Sequence, residues 1–450
     1  MNEKALDLVL RQIGMHPDCC DKAFCEAIYR DCMESGLAGN SVGMMMLPTY
    51  ISADGEVPRN EKVIVMDAGG TNFRRAVAWF DDEGQLQIDR FVKCPMPGTH
   101  GEVTVEEFFD EIAEHLLPII GESDRISFCF SYATRALPNM DGRLENYFCK
   151  EVQVKDSKGI EVCAELKKAL ARKGVSAEKH CILLNDSVAA LLGGKANVVG
   201  KDHDSYIGYI YGTGINCCYV EETEKIANVE GYPHERMIIN METGIHVGFP
   251  QGAAERILDE TSELPGDHMF EKMVSGAYLG RVMALTAQLC ADRGAFSAEG
   301  AALLKNLRSF DLREVGEFFE GTMIPALQGF TEEDAAALRQ IMTRLYERAA
   351  KLVSITIGCV LDWTGKGKNP ERPVCICMEG TTFRKSVIFR DRFFKLEKEY
   401  SGTARPGELN RYELRVVRGS VAFSCVVENA TEPEAFKSVR LALETFSQKH

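Results

Sequence analysis

The chain has 450 residues, 45% of them apolar, and a formal net charge of −15; at ~100–200 residues per domain, that length predicts two or three domains with sizeable cores. So acidic a surface repels nucleic acid and anionic lipid, and neither is an expected partner, although a local basic cleft can still hold a nucleotide. The opening MNEKALDLVLRQIGMHPDCC lacks a basic region followed by an apolar one of about 7–15 residues, and no run reaches ~18 apolar residues, which predicts a soluble, cytoplasmic protein.

Residues 4–35 place apolar side chains at helical spacing (Leu6, Leu10, Ile13, then Ala23, Ala27, Ile28), interrupted by GMHPD and ended by SGLAG, which predicts a helical preface. From 62 to about 92 the period shortens to that of strands: KVIVMD, FRRAVAWF and QLQIDRFV alternate with AGGTN and DDEG, as in an antiparallel meander. A helix at 104–118 with Thr104 as N-cap, a strand at 126–131, a helix at 161–173 and a strand at 181–184 follow. Strands and helices alternate, so the class is α/β. The second half opens with YIGYIYGTGINCCYVEE, residues 206–222, which repeats the pattern of 63–80: an apolar run, a small Gly/Thr turn, another apolar run. Two such hairpins predict a duplicated core with a phosphate-binding hairpin in each half. Beyond 253 helical patterns dominate, through 268–290 and 335–365; the short strand VCICMEG and a last helix at 433–447 close the reading. The sixteen cysteines sit in apolar runs such as SFCFSY and VCICME, and the nine histidines take no ligand spacing; buried thiols without a structural metal are expected.

In dinucleotide folds and P-loops the glycine turn feeds a helix whose N-terminus holds the phosphates. Here it feeds a strand, and neither G-x-G-x-x-G nor G-x-x-x-x-G-K-[ST] can be written over it. What fits is a hairpin turn whose amides at Gly69 and Gly70, free of Cβ, approach phosphoryl oxygens, with the Thr71 hydroxyl as a further donor. Asp67, at the strand end, is placed to hold a water of a magnesium ion, and Gly212, Thr213 and Gly214 supply the facing surface. One such hairpin alone reads as an ordinary turn; two, both carrying Thr and the first preceded by Asp, favour phosphate. Asp186 follows the strand CILL and begins the run SVAALL, which places it at a helix N-terminus, where the dipole keeps a carboxylate ionised. Taken by itself, NDS at 185–187 reads as an N-cap supplied by Asp186 or Ser187.

These segments together resemble the hexokinases. MLPTYISADGEVPRNEKVIVMDAGGTNFR (46–74) is similar to the family's first phosphate segment and GTGINCCYVEE (212–222) to its second. FCFSYA (128–133) resembles its sugar-binding strand, LLNDSVAALL (183–192) its catalytic segment, and INMETG (239–244) and FEKMVSGAYLG (270–280) its two glutamate motifs. The resemblance implies the actin-like ATPase (ribonuclease H-like) fold, with a small and a large domain around a cleft. The implied division is an N-terminal helical segment over 1–60 packing on the large domain, a small domain over 61–187, a large domain over 188–432, and a C-terminal helix over 433–450 returning to the small domain. The implied activity is ATP-dependent phosphorylation of a hexose, glucose at its 6-hydroxyl, feeding glycolysis. Alternatives are a sugar sensor without turnover and a kinase for mannose or an amino sugar. A monomer or homodimer is expected.

The resemblance makes Asp186 the catalytic base and gives the sugar to Ser131, Asn185, Asp186, Asn216, Glu242 and Glu271. By itself Glu271 reads as a solvated helix residue and Glu242 as a loop charge. ATP and Mg2+ fall to Asp67, Gly69, Gly70, Thr71, Asn72, Gly212, Thr213 and Gly214, with Gly380 and Thr381 of MEGTTFRK as the nucleotide segment. The chain departs from the family pattern at Ala68 and at Glu379, and METGIHVG lacks the Trp that usually follows the first sugar glutamate. It also puts Phe148 and Cys149 where a Thr-Lys pair usually meets the sugar. Either a one-residue bulge returns Lys150 to the site, the alternative we favour, or two polar partners are lost and an aromatic face is gained.

Overall fold

The computed structural model describes residues 2–54, 58–68, 72–83, 86–132, 134–145, 147–148, 152–176, 178–196, 203–369, 371–401 and 412–416. Helices α1 (Glu3–Gln12) and α2 (Lys22–Leu37) form the preface, each started by a side-chain cap: Asn2 accepts from the Ala5 amide and Asp21 from that of Phe24. Between them Gly14 takes φ +74° and Pro17 opens a short 3-10 turn, which is why the helical pattern breaks there.

The first sheet contains β1 (Val63–Ala68), β2 (Asn72–Phe80), β3 (Leu86–Pro95), β4 (Arg125–Phe130) and β5 (His180–Leu184) in the order β3-β2-β1-β4-β5. β1, β2 and β3 pair antiparallel, as the meander predicts, and β4 and β5 join parallel to β1. Helix α3 (Val105–Leu116) begins in a capping box between Thr104 and Glu107. With α4 (Val162–Arg172) it covers one face of the sheet, burying Phe108, Phe109, Ile112, Leu166 and Leu170 against Phe128 and Phe130. Helix α5 (Asp186–Ala196) leaves β5 and packs on the second sheet.

That second sheet contains β6 (Ser205–Tyr211), β7 (Ile215–Glu222), β8 (Arg236–Asn240), β9 (Val374–Glu379) and β10 (Tyr412–Val416), ordered β8-β7-β6-β9-β10, with the pair Leu47–Pro48 added beyond β8. Its first three strands are antiparallel and its last two parallel to β6. The order and polarity repeat those of the first sheet strand for strand, so the duplication suggested by two hairpins extends to the whole core. α1 and α2 share one apolar cluster with this sheet and with the long helix Glu332–Thr364: Leu6, Leu10, Tyr29 and Met33 pack with Tyr209, Tyr219 and Ile239.

The remaining helices are α6 (Ala253–Glu260), α7 (Met269–Val274), α8 (Gly276–Ala291), α9 (Glu332–Thr364), α10 (Thr381–Lys385) and α11 (Val387–Ser401), with two short ones between α8 and α9. The helical pattern over 268–290 is divided between two helices, because Ser275 is extended at φ −75°, ψ 160° and turns Gly276 toward the second hairpin. β8, β10, α10 and α11 escape the periodicity; the helix expected at 433–447 lies outside the described residues. Most described cysteines are buried thiols, and among the described residues no His/Cys/Asp/Glu group is placed to hold a metal. No described helix is long and apolar enough to cross a membrane.

Candidate active site

The parallel strands β1, β4 and β5 end side by side, since Ala68 is in register with Phe130 and Leu184 with Cys129. That edge brings Ser131, Asn185 and Asp186 together with the buried Asp67, at the carboxyl ends of the strands where α/β sheets bind ligands. The Ser131 amide donates to the Ala68 carbonyl at 3.2 Å, tying the sugar strand to the first hairpin. Asn72 is the first residue of β2. The turn itself, Gly69, Gly70 and Thr71, lies outside the described residues.

Asp67 stands opposite Arg74 across the hairpin, and the Arg74 guanidinium meets its carboxylate at 2.5 Å with both side chains almost fully buried. Sequence reasoning missed this cation, although it lies in GGTNFRR directly after the turn. The buried pair is neutral overall and ties the end of β1 to the start of β2.

At α5 the cap is Asn185: its Oδ1 accepts from the Ser187 amide at 2.9 Å and its carbonyl from the Ala189 amide at 3.0 Å. The two capping candidates drawn from NDS, Asp186 and Ser187, are thus replaced by the residue before them. Asp186 becomes the first helical residue, half-buried, with the positive end of the helix dipole at its carboxylate.

The second hairpin is held from behind. Gly212 closes the turn by donating to the Gly214 carbonyl at 2.9 Å. Its own carbonyl accepts from the Gly276 amide at 2.9 Å and from the Thr382 hydroxyl at 2.8 Å, and the Thr213 carbonyl accepts from the Ala277 amide at 3.0 Å. The first amides of α8 therefore anchor the turn, and Thr213 is left exposed at the tip. Gly380 has φ +126°, and a Cβ there would lie 2.1 Å from the Tyr211 carbonyl oxygen; only glycine lets the nucleotide segment Gly380-Thr381 touch the hairpin. Glu271 accepts from the Ile215 amide at 3.1 Å and is half-buried, so it is no solvated helix residue.

A chain of amides joins these parts. Asn216 Oδ1 accepts from the Cys217 amide at 2.7 Å and the Thr243 amide at 3.3 Å. Its Nδ2 donates to Asn240 Oδ1 at 2.9 Å and to Asn185 Oδ1 at 3.3 Å, so this residue, expected at the sugar, spends its amide hydrogens within the network. Asn240 Nδ2 donates to Glu242 Oε1 at 2.7 Å. Asn240 was missed, although it stands two residues before Glu242 in INMETG. Glu242 is held at φ 52°, ψ 50°, an uncommon conformation for a side-chain-bearing residue and one seen where structure over-determines it. Beneath it Tyr29 of α2 and Thr243 share a buried hydrogen bond of 2.6 Å. Burial pushes the Glu242 carboxyl above its ordinary range; Asn240 and His268 oppose this, while Asp186 and Glu271 add to it. Asp186 and Glu271, two other carboxylates of the sequence reading, thus both bear on Glu242. The crevice beside them is lined by Thr49 and Asn240 on one side and by Thr134, Leu183 and Asn185 on the other.

Phe148 does not offer its ring to this site. It is buried in the core of the first half, its centroid 4.8 Å from those of Phe108 and Tyr132. Lys150 and Cys149 lie outside the described residues.

Two models described as hexokinase match residues 19–196 and 206–422. Human Hexokinase-3 is 26% identical over 386 residues, covering 80% of this chain and 40% of that protein; Hexokinase-1 of Nicotiana tabacum is 31% identical over 295 residues, covering 61% and 58%. The chain thus spans about 40% of the first relative's length. The solved structure of a hexokinase from Schistosoma mansoni complexed with glucose superposes with a TM-score of 0.72 at 20% identity, covering 98% of this chain and 100% of that one. A hexokinase of the ROK type from Thermus thermophilus gives 0.51 at 18%, covering 86% and 99%. The fold is therefore that of the two-domain actin-like ATPases.

Proposed function

The chain belongs to the hexokinase family, and from that premise we propose that it moves the γ-phosphoryl group of ATP to a hexose, with glucose at its 6-hydroxyl as the substrate and Asp186 as the base. The observation that carries this reading is the hydrogen-bonded run Asn185–Asn216–Asn240–Glu242, which joins the start of α5 to Glu242, with Glu271 held on the second hairpin by the Ile215 amide. A hexose is a ring of hydroxyls that each donate and accept, and carboxylates and amides fixed in direction suit it. Glu242, Glu271, Asn185 and Ser131 supply them, with Asn216 joining through the network it anchors.

Phosphoryl transfer passes through a loose transition state, so the protein's work is in-line placement, charge neutralisation and removal of one proton. The sugar oxygen attacks phosphorus, the bond from phosphorus to the ADP oxygen breaks, and the hydroxyl proton goes to the Asp186 carboxylate. We assign the phosphate chain to Gly69, Gly70, Thr71 and Asn72 and to Gly212, Thr213 and Gly214, and the nucleotide to Gly380 and Thr381. The fit of this cradle rests on the close approach at Gly380 and on the exposed Thr213 at the tip of the second hairpin. Magnesium bound with the nucleotide neutralises phosphate charge, and Asp67 would meet it through water. We read 61–187 and 188–432 as the two lobes, with 1–60 on the larger, closing on the sugar. A coupled ADP-release assay over glucose, mannose, fructose and glucosamine tests the reading. Glucose-dependent release supports it; calorimetric glucose binding without release would leave a sensor instead; release with another hexose alone would move the substrate.

A further inference from the structure

The network beneath the carboxylates has a single direction, set by the backbone. The amides of Cys217 and Thr243 both point at Asn216 Oδ1, at 2.7 and 3.3 Å, which fixes which way that side chain is turned. Its Nδ2 must then face Asn240, whose Oδ1 accepts at 2.9 Å and whose Nδ2 is left to face Glu242 Oε1 at 2.7 Å. The Ser187 hydroxyl, one residue after Asp186, lies 3.4 Å from the same Asn240 oxygen and 2.7 Å from Asn185 Oδ1. Asn240 is 4% exposed. Among the described residues its amide is the side-chain donor to Glu242, a carboxylate that burial and two neighbouring carboxylates otherwise drive toward its neutral form.

We infer that Asn240 is the positioning residue of the sugar site. It takes its orientation from Asn216 and hands a hydrogen bond to Glu242, holding that carboxylate ionised, at a fixed angle, and ready to accept from a sugar hydroxyl. This rests on reading Glu242 as a sugar ligand. The role demands a group that accepts on one side and donates on the other, which a primary amide does and a carboxylate does not. In Asn240→Asp the new side chain still accepts from Asn216, but an oxygen now faces Glu242 Oε1 where the donor stood. Two carboxylates at that separation retain a proton between them to higher pH, and with the proton present the donor is restored.

The test compares wild type, Asn240→Asp and Asn240→Ala for glucose KM, kcat and calorimetric Kd between pH 6 and 8, with thermal melting as a folding control. At pH 8 both variants should raise KM and Kd by roughly tenfold or more, the loss expected for a hydrogen bond to a charged group, with kcat changed far less. On lowering the pH, Asn240→Asp should recover affinity while wild type and Asn240→Ala do not; a merely structural role would not reverse that slope. If Asn240→Ala does not fold, the isosteric Asn240→Asp carries the test. Asn240→Asp within threefold of wild type at pH 8, or a pH slope in the wild-type direction, overturns the inference. Wild type that binds glucose without releasing ADP would sink the kinase reading alone, since Asn240 is then judged on Kd; wild type that binds no hexose would sink both.

Discussion

Replacing Gly214 by alanine puts a methyl group 2.6 Å from Glu271 Oε2, whereas ordinary contact begins near 3.4 Å. Gly214 is not among the glycines with left-handed backbone, so the substitution adds no strain of its own and its effect is confined to this contact. The methyl cannot move, because Gly214 closes the turn through the Gly212 amide at 2.9 Å. The carboxylate must therefore retreat by about 0.8 Å, judged from those two distances, which takes it out of line with the Ile215 amide at 3.1 Å. A hydrogen bond to a charged group is worth ~1.5–3 kcal/mol. If Glu271 holds the sugar, loss of its fixed position should raise the glucose KM by about ten- to a hundredfold, and kcat should fall less. Because the contact is with the end of a flexible side chain, the fold should survive, with melting lowered by only a few degrees. Steady-state kinetics with a coupled ADP assay, alongside a melting curve, reads both. A KM within twofold of wild type in a folded Gly214→Ala protein would show that Glu271 is not a sugar ligand and refute the reasoning.

Asp186→Ala should lower kcat by at least ~10²–10⁴ while sugar Kd stays within a few-fold, as expected of a residue whose task is the hydroxyl proton; retention of more than a tenth of the rate contradicts the assignment. Because burial raises the Glu242 carboxyl, that group gains its proton at a higher pH than the ordinary ~4.3 of a glutamate. Glucose KM should consequently begin to rise, as pH falls, before an ordinary glutamate would titrate. A Glu242→Gln variant should lack that acid limb, and a wild-type KM flat down to about pH 4.5 would argue against it. Phe148→Ala removes a ring packed against Phe108, Phe130 and Tyr132; it should cost ~3–5 kcal/mol in chemical denaturation and leave the glucose KM of the folded enzyme near wild type. A large KM change without loss of stability would return Phe148 to the sugar site.

The hairpins, the helical preface and the Thr104 cap were legible because each is local: a two-residue period, a 3.6-residue period and a capping box are written in adjacent residues. The duplication was legible, since two Gly/Thr hairpins imply two halves, but the full strand order of each sheet was not. What escaped depends on pairing across the chain. Arg74 meets Asp67 only because the turn sets the register of β1 on β2. RMIIN, residues 236–240, is too short to announce β8, yet that strand carries Asn240 to Asn216. The break at Ser275 is forced from a distant part of the chain, because the amide of Gly276 must reach the Gly212 carbonyl in the second hairpin. At the site, only the resemblance to the hexokinases singled out Glu242 and Glu271, and it said nothing of what holds them.

The central claim is transfer of a phosphoryl group to the sugar, and phosphorus NMR follows it directly. With wild-type protein, ATP, magnesium and glucose, the account predicts loss of the γ-phosphate resonance and growth, in equal amount, of a phosphomonoester identified as glucose 6-phosphate, with neither change in Asp186→Ala. ATP left intact by the wild-type protein over the same period, or split to inorganic phosphate with no sugar ester formed, would contradict it.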